Sequence, residues 1–220
     1  MSQTKKVAVV LSGCGFLDGA EIRESVLTLL ALDSNDIAYD IFAPNREQKH
    51  VVNHLIQDED NGSQRNILEE SARIARGQIK DIIELNPDKY NGLVIPGGFG
   101  VAKNLCTFAF DGASASVDPK IKDIILNFHQ TKKPITAICI APALIALCLE
   151  KVTLTIGTDK ETASTLESLG ASHVEKSSAE YHIDEVNRII TTPAYMHDDA
   201  KLNEIYEGIS GAITAQQKMM

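Results

Sequence analysis

The chain has 220 residues, 44% of them hydrophobic and 23% charged, with a formal net charge of −9. That is enough apolar residue to build a substantial core, and the length favours one domain, 1–220. The negative balance and the lack of a basic stripe argue against nucleic acid or an anionic membrane surface as partner, and no apolar run approaches the roughly 20 residues that span a bilayer.

In chain order, "KVAVVLS" (Lys6 to Ser12) is a short β-branched run closed by Gly13 and Gly15. Lys5 and Lys6 stand before its apolar residues, superficially the order of a secretory signal. The run is short and breaks into glycines, so it reads as a first strand and the protein as cytoplasmic. "AEIRESVLTLLALDS" places Ile22, Val26, Leu29, Leu30 and Leu32 near helical spacing. "IAYDIFAP" alternates like a strand and stops at Pro44. A polar insertion from Asn45 to Gly62 follows, then an amphipathic helix, "RNILEESARIARG", ending at Gly77. Leu93 to Ile95 is another apolar strand, closed by Pro96, Gly97 and Gly98.

"DPKIKDIILNFHQTKK" carries Ile121, Ile124, Ile125 and Phe128 on one helical face, with Pro119 suited to its first turn. "PITAICI" reads as a strand and "APALIALCLE" as a helix. "VTLTIGT" is a strand, and "DKETASTLESLG" a helix with Asp159 as N-cap and Gly170 as the residue past its end. "YHIDEVNRIITTP" is a hairpin around Glu185 to Asn187, and the final "DDAKLNEIYEGISGAITAQQ" is helical. Strands alternating with helices imply βαβ units: an α/β protein with a mostly parallel sheet covered on both faces. In such sheets the ligand crevice lies at the carboxyl ends of the strands.

Four cysteines, Cys14, Cys106, Cys139 and Cys148, show no CxxC pairing or zinc-like spacing and are expected as free thiols. Cys139 falls where a strand turns into a helix, with Pro142 fitting the helix's first turn. There it reads either as a buried strand cysteine or as a nucleophile whose thiolate is favoured by free amides and the helix dipole. Cys148, inside the apolar helix, reads as packing. Upstream, "VIPGGFG" (Val94 to Gly100) brings backbone amides to a strand end; it lacks both the phosphate-loop pattern and GxGxxG, and with Cys139 about forty residues later it becomes a candidate oxyanion hole. Glu21 and Glu24 open the first helix, either as complements to its dipole or, if one faces Cys139, as a general acid or base. Cys14, at the same strand end, is a candidate second thiol lining the pocket.

"ITAICIAPA" with "VIPGGFG" upstream resembles the ThiJ/PfpI branch of the class I glutamine amidotransferase-like superfamily. "LSGCGFLDGAEIRESVLTLLAL", "PGGFGVAKNL", "CIAPALIA", "LTIGTD" and "TTPAYM", in that order, resemble its ElbB subgroup, a name linked to isoprenoid biosynthesis, over nearly the whole chain. The resemblance implies a flavodoxin-like three-layer sandwich with a nucleophile elbow. It places the nucleophile on Cys139 and its hydrogen-bonding glutamate on Glu24, with Glu21 second. The oxyanion amides would come from Gly98 or Phe99 and from Ile140. It implies no cofactor and a homodimer.

The chain departs from the family in its histidines. No histidine lies between Cys139 and His173, and the His-x-Glu pair of a working amidotransferase triad is missing, since His197 is followed by Asp198 and Asp199. His197 is the one histidine kept as a candidate. The resemblance therefore points first to a glyoxalase that needs no glutathione, turning glyoxal and similar small dicarbonyls into the hydroxy acid. The alternatives it leaves are a thiol sensor or chaperone-like accessory linked to isoprenoid metabolism and, least favoured, a glutamine amidotransferase.

Overall fold

This computed structural model describes residues 5–220. The elements are, in order, β1 (Lys6–Val10), α1 (Ile22–Ser34), β2 (Ala38–Ala43), the small hairpin β3 (Val52–Asn53) and β4 (Asp58–Glu59), α2 (Ile67–Ile74), β5 (Lys80–Asp81) and β6 (Gly92–Ile95). Then come α3 (Phe108–Asp111), α4 (Pro119–Gln130), β7 (Ile135–Ile138), α5 (Ala141–Cys148), β8 (Thr153–Leu154), α6 (Lys160–Ser168), β9 (Ser172–His173), β10 (His182–Asp184), β11 (Ile189–Thr192) and α7 (Leu202–Met219). Seven strands form one sheet in the order β10-β11-β7-β6-β1-β2-β5, parallel throughout except for the β10–β11 hairpin.

The layers follow from the period of two along each strand. Val7 and Val9 of β1, Val94 of β6 and Ile138 of β7 pack with Ala31 and Leu32 of α1 and Ile205, Ile209 and Ile213 of α7. The alternate residues Ala8, Val10, Leu93, Ile95, Ile135 and Ala137 pack on the other face with Ile121, Ile124, Ile125 and Phe128 of α4 and Leu144 and Ile145 of α5. This is the flavodoxin-like three-layer sandwich expected. Caps follow the sequence signals: Asp159 accepts from the Thr162 amide at 2.7 Å, and Pro119 sits in the first turn of α4.

Two expectations need correction. "VTLTIGT" does not join the main sheet: only Thr153 and Leu154 are strand, paired with β9 in a separate two-stranded sheet. Asp184 and Thr191 side chains accept the amides of Thr153 and Thr155, so side chains replace the missing ladder. Helix α1 is also turned away from the face its apolar residues suggest. Ile22, Val26 and Leu30 are nearly half exposed, while Glu24, Ser25 and Thr28 are buried beside Ala31 and Leu32.

From β1 the chain moves outward to β2 on one side, and from β6 to β7 on the other. The order therefore reverses between β1 and β6, and the crevice there is flanked by the loops that carry the glycines, the start of α1 and Cys139.

Candidate active site

β7 ends at Ile138 and α5 begins at Ala141, leaving Cys139 and Ile140 to make the turn. Cys139 has φ +60°, left-handed backbone that costs an ordinary side chain about 1–2 kcal/mol. Its amide is anchored to the Thr192 carbonyl of β11 at 2.9 Å. The twist also breaks the strand's alternation. Continued as a strand, Cys139 would face α4 and α5 with Ile135 and Ala137; instead it packs with Ile138 in the layer under α1 and α7. This places the sulfur opposite Glu24.

Glu24 is completely buried, and both its oxygens accept backbone amides: Oε2 from Gly97 at 3.0 Å and Oε1 from Tyr195 at 3.1 Å. Its remaining hydrogen-bonding partner is the Cys139 thiol. Gly97 is wedged between them; a Cβ there would stand 2.4 Å from the Cys139 Cβ and 2.6 Å from Glu24 Oε2. The Gly97 carbonyl accepts the Glu21 amide at 2.9 Å. A planar trans peptide points its N–H away from its C=O, so that bond aims the next amide, Gly98 N–H, at the Cys139 sulfur. The Ile140 amide reaches the sulfur from the other side. Gly98 has φ +96°, and a Cβ would stand 2.4 Å from the Glu21 nitrogen, so the loop needs glycine at both positions.

The thiolate expected from the helix start is overridden. Burial first, and then the Glu24 carboxylate, push the Cys139 thiol well above its ordinary range, against the pull of the Gly98 and Ile140 amides. Burial first, and then Glu21, push the Glu24 carboxyl up to about 8. Two negative charges cannot share this dry pocket, so the first proton lost belongs to the pair, and the pair then carries one negative charge.

The other expected residues are placed as follows. Glu21 is the N-cap of α1, its Oε2 accepting the Glu24 amide at 2.5 Å. The Phe99 amide is taken by the Phe16 carbonyl at 2.7 Å, so Gly98 and not Phe99 supplies the amide at the sulfur. Cys14 faces α2: burial, then Glu70, raise its thiol, with Arg73 and Asp18 also acting on it. His197 lies against Gly157 and its Nε2 meets the Lys176 carbonyl at 3.0 Å, an assignment to packing and not to the sulfur. Among the described residues no group of three or more His, Cys, Asp and Glu could hold a metal ion. Sequence reasoning missed Gly97 and the Tyr195 amide. Gly97 was legible only as part of a glycine run, and a backbone donor such as Tyr195 leaves no signature in residue type.

The chain is 42% identical over 217 residues to human glutamine amidotransferase-like class 1 domain-containing protein 3, mitochondrial, covering 94% of this chain and 81% of the relative. A solved structure, an isoprenoid biosynthesis protein with an amidotransferase-like domain from Ehrlichia chaffeensis, is 41% identical and superposes with a TM-score of 0.91 over 98% of this chain and 99% of that one. Drosophila melanogaster DJ-1beta, at 17% identity, shares the fold with a TM-score of 0.58 over 99% and 96% of the two chains. No family model matches the chain. The human relative is named as mitochondrial, and so are the rat ES1 protein homolog and the zebrafish ES1 protein, 40% and 31% identical over 94% and 97% of this chain and 81% and 85% of theirs. This overturns the cytoplasmic expectation. That expectation rested on rejecting a secretory-type apolar run, an argument with no bearing on a mitochondrial address.

Proposed function

Because the chain belongs to the glutamine amidotransferase-like family that includes the ES1 proteins, a ThiJ/PfpI-type fold with a buried cysteine at its elbow, we propose that it is a glutathione-independent glyoxalase acting on glyoxal and similar small dicarbonyls. The observation that carries this is the Cys139–Glu24 pair, flanked by two amides at the sulfur. The sulfur of the singly charged pair adds to one aldehyde carbon. The Gly98 and Ile140 amides hold the forming oxyanion, and the Glu24 proton neutralises it as the thiohemiacetal. Glu24, now a carboxylate, takes the hydrogen of that carbon as a proton and returns it to the neighbouring carbon, while the thiohemiacetal hydroxyl proton passes to the neighbouring oxygen, leaving a thioester. Water attacks the thioester carbon, the C–S bond breaks, and glycolate leaves while the pair regains its proton. No oxidant or reductant is consumed.

The isostere Glu24→Gln keeps an acceptor but cannot shuttle a proton. It is expected to lower kcat on glyoxal by about 100-fold or more; a kcat within a few-fold of wild type would refute the role. Glutamine hydrolysis has less support, since His197 is held by the Lys176 carbonyl. One observation favours a second reading, a peroxide-sensitive thiol: the two amides suited to an oxyanion also suit the oxygens of an oxidised sulfur. Selective oxidation of Cys139 without glyoxal turnover would support it.

The proposal extends to a homodimer. Ile22, Val26 and Leu30 form an exposed apolar ridge on α1, with Arg23 and Asp33 exposed towards its two ends. Two copies paired antiparallel about a two-fold axis would set Arg23 of each beside Asp33 of the other.

A further inference from the structure

The loops after β2 and β6 meet over the carboxyl end of β1, which lies between those two strands. Asn104, in the helical turn Val101–Leu105 that follows the glycine loop, ties them together. Its side chain donates to the Ser12 carbonyl just past β1 at 2.9 Å and accepts the Lys49 amide at 2.8 Å, and its carbonyl accepts from Arg46. Beside this knot is a cavity of about 300 Å³ that neither Cys139 nor Glu24 lines. Three cations line it, Arg46, Lys49 and Lys103, in a chain whose net charge is −9. The two acids of the lining leave a positive surplus. Asp118 neutralises Arg46 while capping α4 through the Lys120 and Ile121 amides, and Glu47, exposed to solvent, stands alone against both lysines.

Lys103 is half-buried, donates to the Leu17 carbonyl at 2.9 Å and lies 5.4 Å from the Phe99 ring centroid, and no carboxylate among the described residues forms an ion pair with it. Burial pushes its ammonium below the ordinary lysine range, against the pull of the more distant Asp18 and Glu59. Taking an ammonium out of water is costly unless an anion meets it, and its other N–H bonds are unspent. The Lys49 ammonium, 5.8 Å from the Phe110 ring centroid, has no ion pair among the described residues either. Arg46 keeps N–H groups beyond those given to Asp118 and Asn104, and the Thr107 and Ser116 hydroxyls add further donors.

We propose that this cavity is a binding site for a small phosphate monoester, whose phosphate is held by Lys103, Lys49 and the free N–H groups of Arg46. A phosphate dianion matches the two unpaired lysines and accepts donors from several directions, whereas a carboxylate brings one charge. A volume of about 300 Å³ leaves room for a small organic group beyond the phosphate. The site is separate from the Cys139–Glu24 pair, and the inference does not depend on what that pair catalyses.

The test titrates inorganic phosphate and glycerol 3-phosphate into the full chain at constant ionic strength, which holds screening fixed, and follows binding by calorimetry and amide NMR shifts. Both probes should bind, the ester at least as tightly, with shifts centred on Lys49 and on Lys103 to Thr107. Lys103→Gln and Lys49→Gln should each weaken binding about tenfold, as expected for the loss of one charge-assisted hydrogen bond. Lys49 is exposed, so its variant still decides the matter should Lys103→Gln not fold. Glu47→Gln, also at an exposed position, should tighten binding about twofold, a change that structural damage does not produce. No binding of either probe, shifts centred elsewhere, or wild-type affinity in the lysine variants would overturn the proposal. An ester that binds more weakly than inorganic phosphate would overturn the assignment to a monoester.

Discussion

The Gly97 amide donates to Glu24 Oε2 at 3.0 Å, joining positions 73 residues apart and closing the glycine loop onto the first helix. The bond exists only because Gly97 has no side chain, since the space a Cβ would fill belongs to Cys139 and Glu24. Gly97→Ala should therefore destabilise the fold by about 1–3 kcal/mol through overpacking and remove the reactivity of Cys139 towards iodoacetamide. Chemical denaturation and alkylation kinetics check both; a variant as stable and as reactive as wild type would contradict the packing described here.

Glu24 should make stability depend on pH. Its carboxyl, ordinarily near 4.5, is raised to about 8 in the folded chain, so folding binds the proton more tightly. The stabilisation is complete below pH 4.5 and is lost as pH rises to about 8, on the order of a few kcal/mol over the window. The melting temperature of wild type should fall across that range, and Glu24→Gln should flatten the slope. A flat wild-type curve would mean that the carboxyl is not enclosed as described.

Cys139 holds left-handed backbone that glycine adopts freely. Cys139→Gly should accordingly be about 1 kcal/mol more stable than Cys139→Ala, although it buries less. Thermal melts of the two variants decide this; an alanine variant as stable as the glycine one would show that the elbow stores no strain.

The α1 ridge makes a prediction about assembly. Wild type should be a dimer by light scattering, and Val26→Glu combined with Leu30→Glu should be a folded monomer. A monomeric wild type, or a double variant that stays dimeric, would exclude this ridge as the interface.

Much of the architecture was legible because parallel strands buried on both faces appear as unbroken apolar runs, as in "KVAVVLS" and "PITAICI", bounded by glycine and proline. The glycine loop and the elbow cysteine were legible as motifs. The orientation of α1 was not: Ile22, Val26 and Leu30 have the spacing of a buried face, yet the amides of Gly97 and Tyr195 claim Glu24 and turn the ridge outward. The alternation of β7 likewise gave no warning that one left-handed residue would move Cys139 to the opposite layer. The high thiol of Cys139 was hidden too, because helix position is visible in one dimension and burial beside a second acid is not.

The most direct test of the account is glycolate formation from glyoxal without glutathione, followed by proton NMR for wild type and Cys139→Ser. Wild type should make glycolate and the serine variant none above the uncatalysed rate. Equal glycolate formation by the two proteins, or none by wild type, would contradict it.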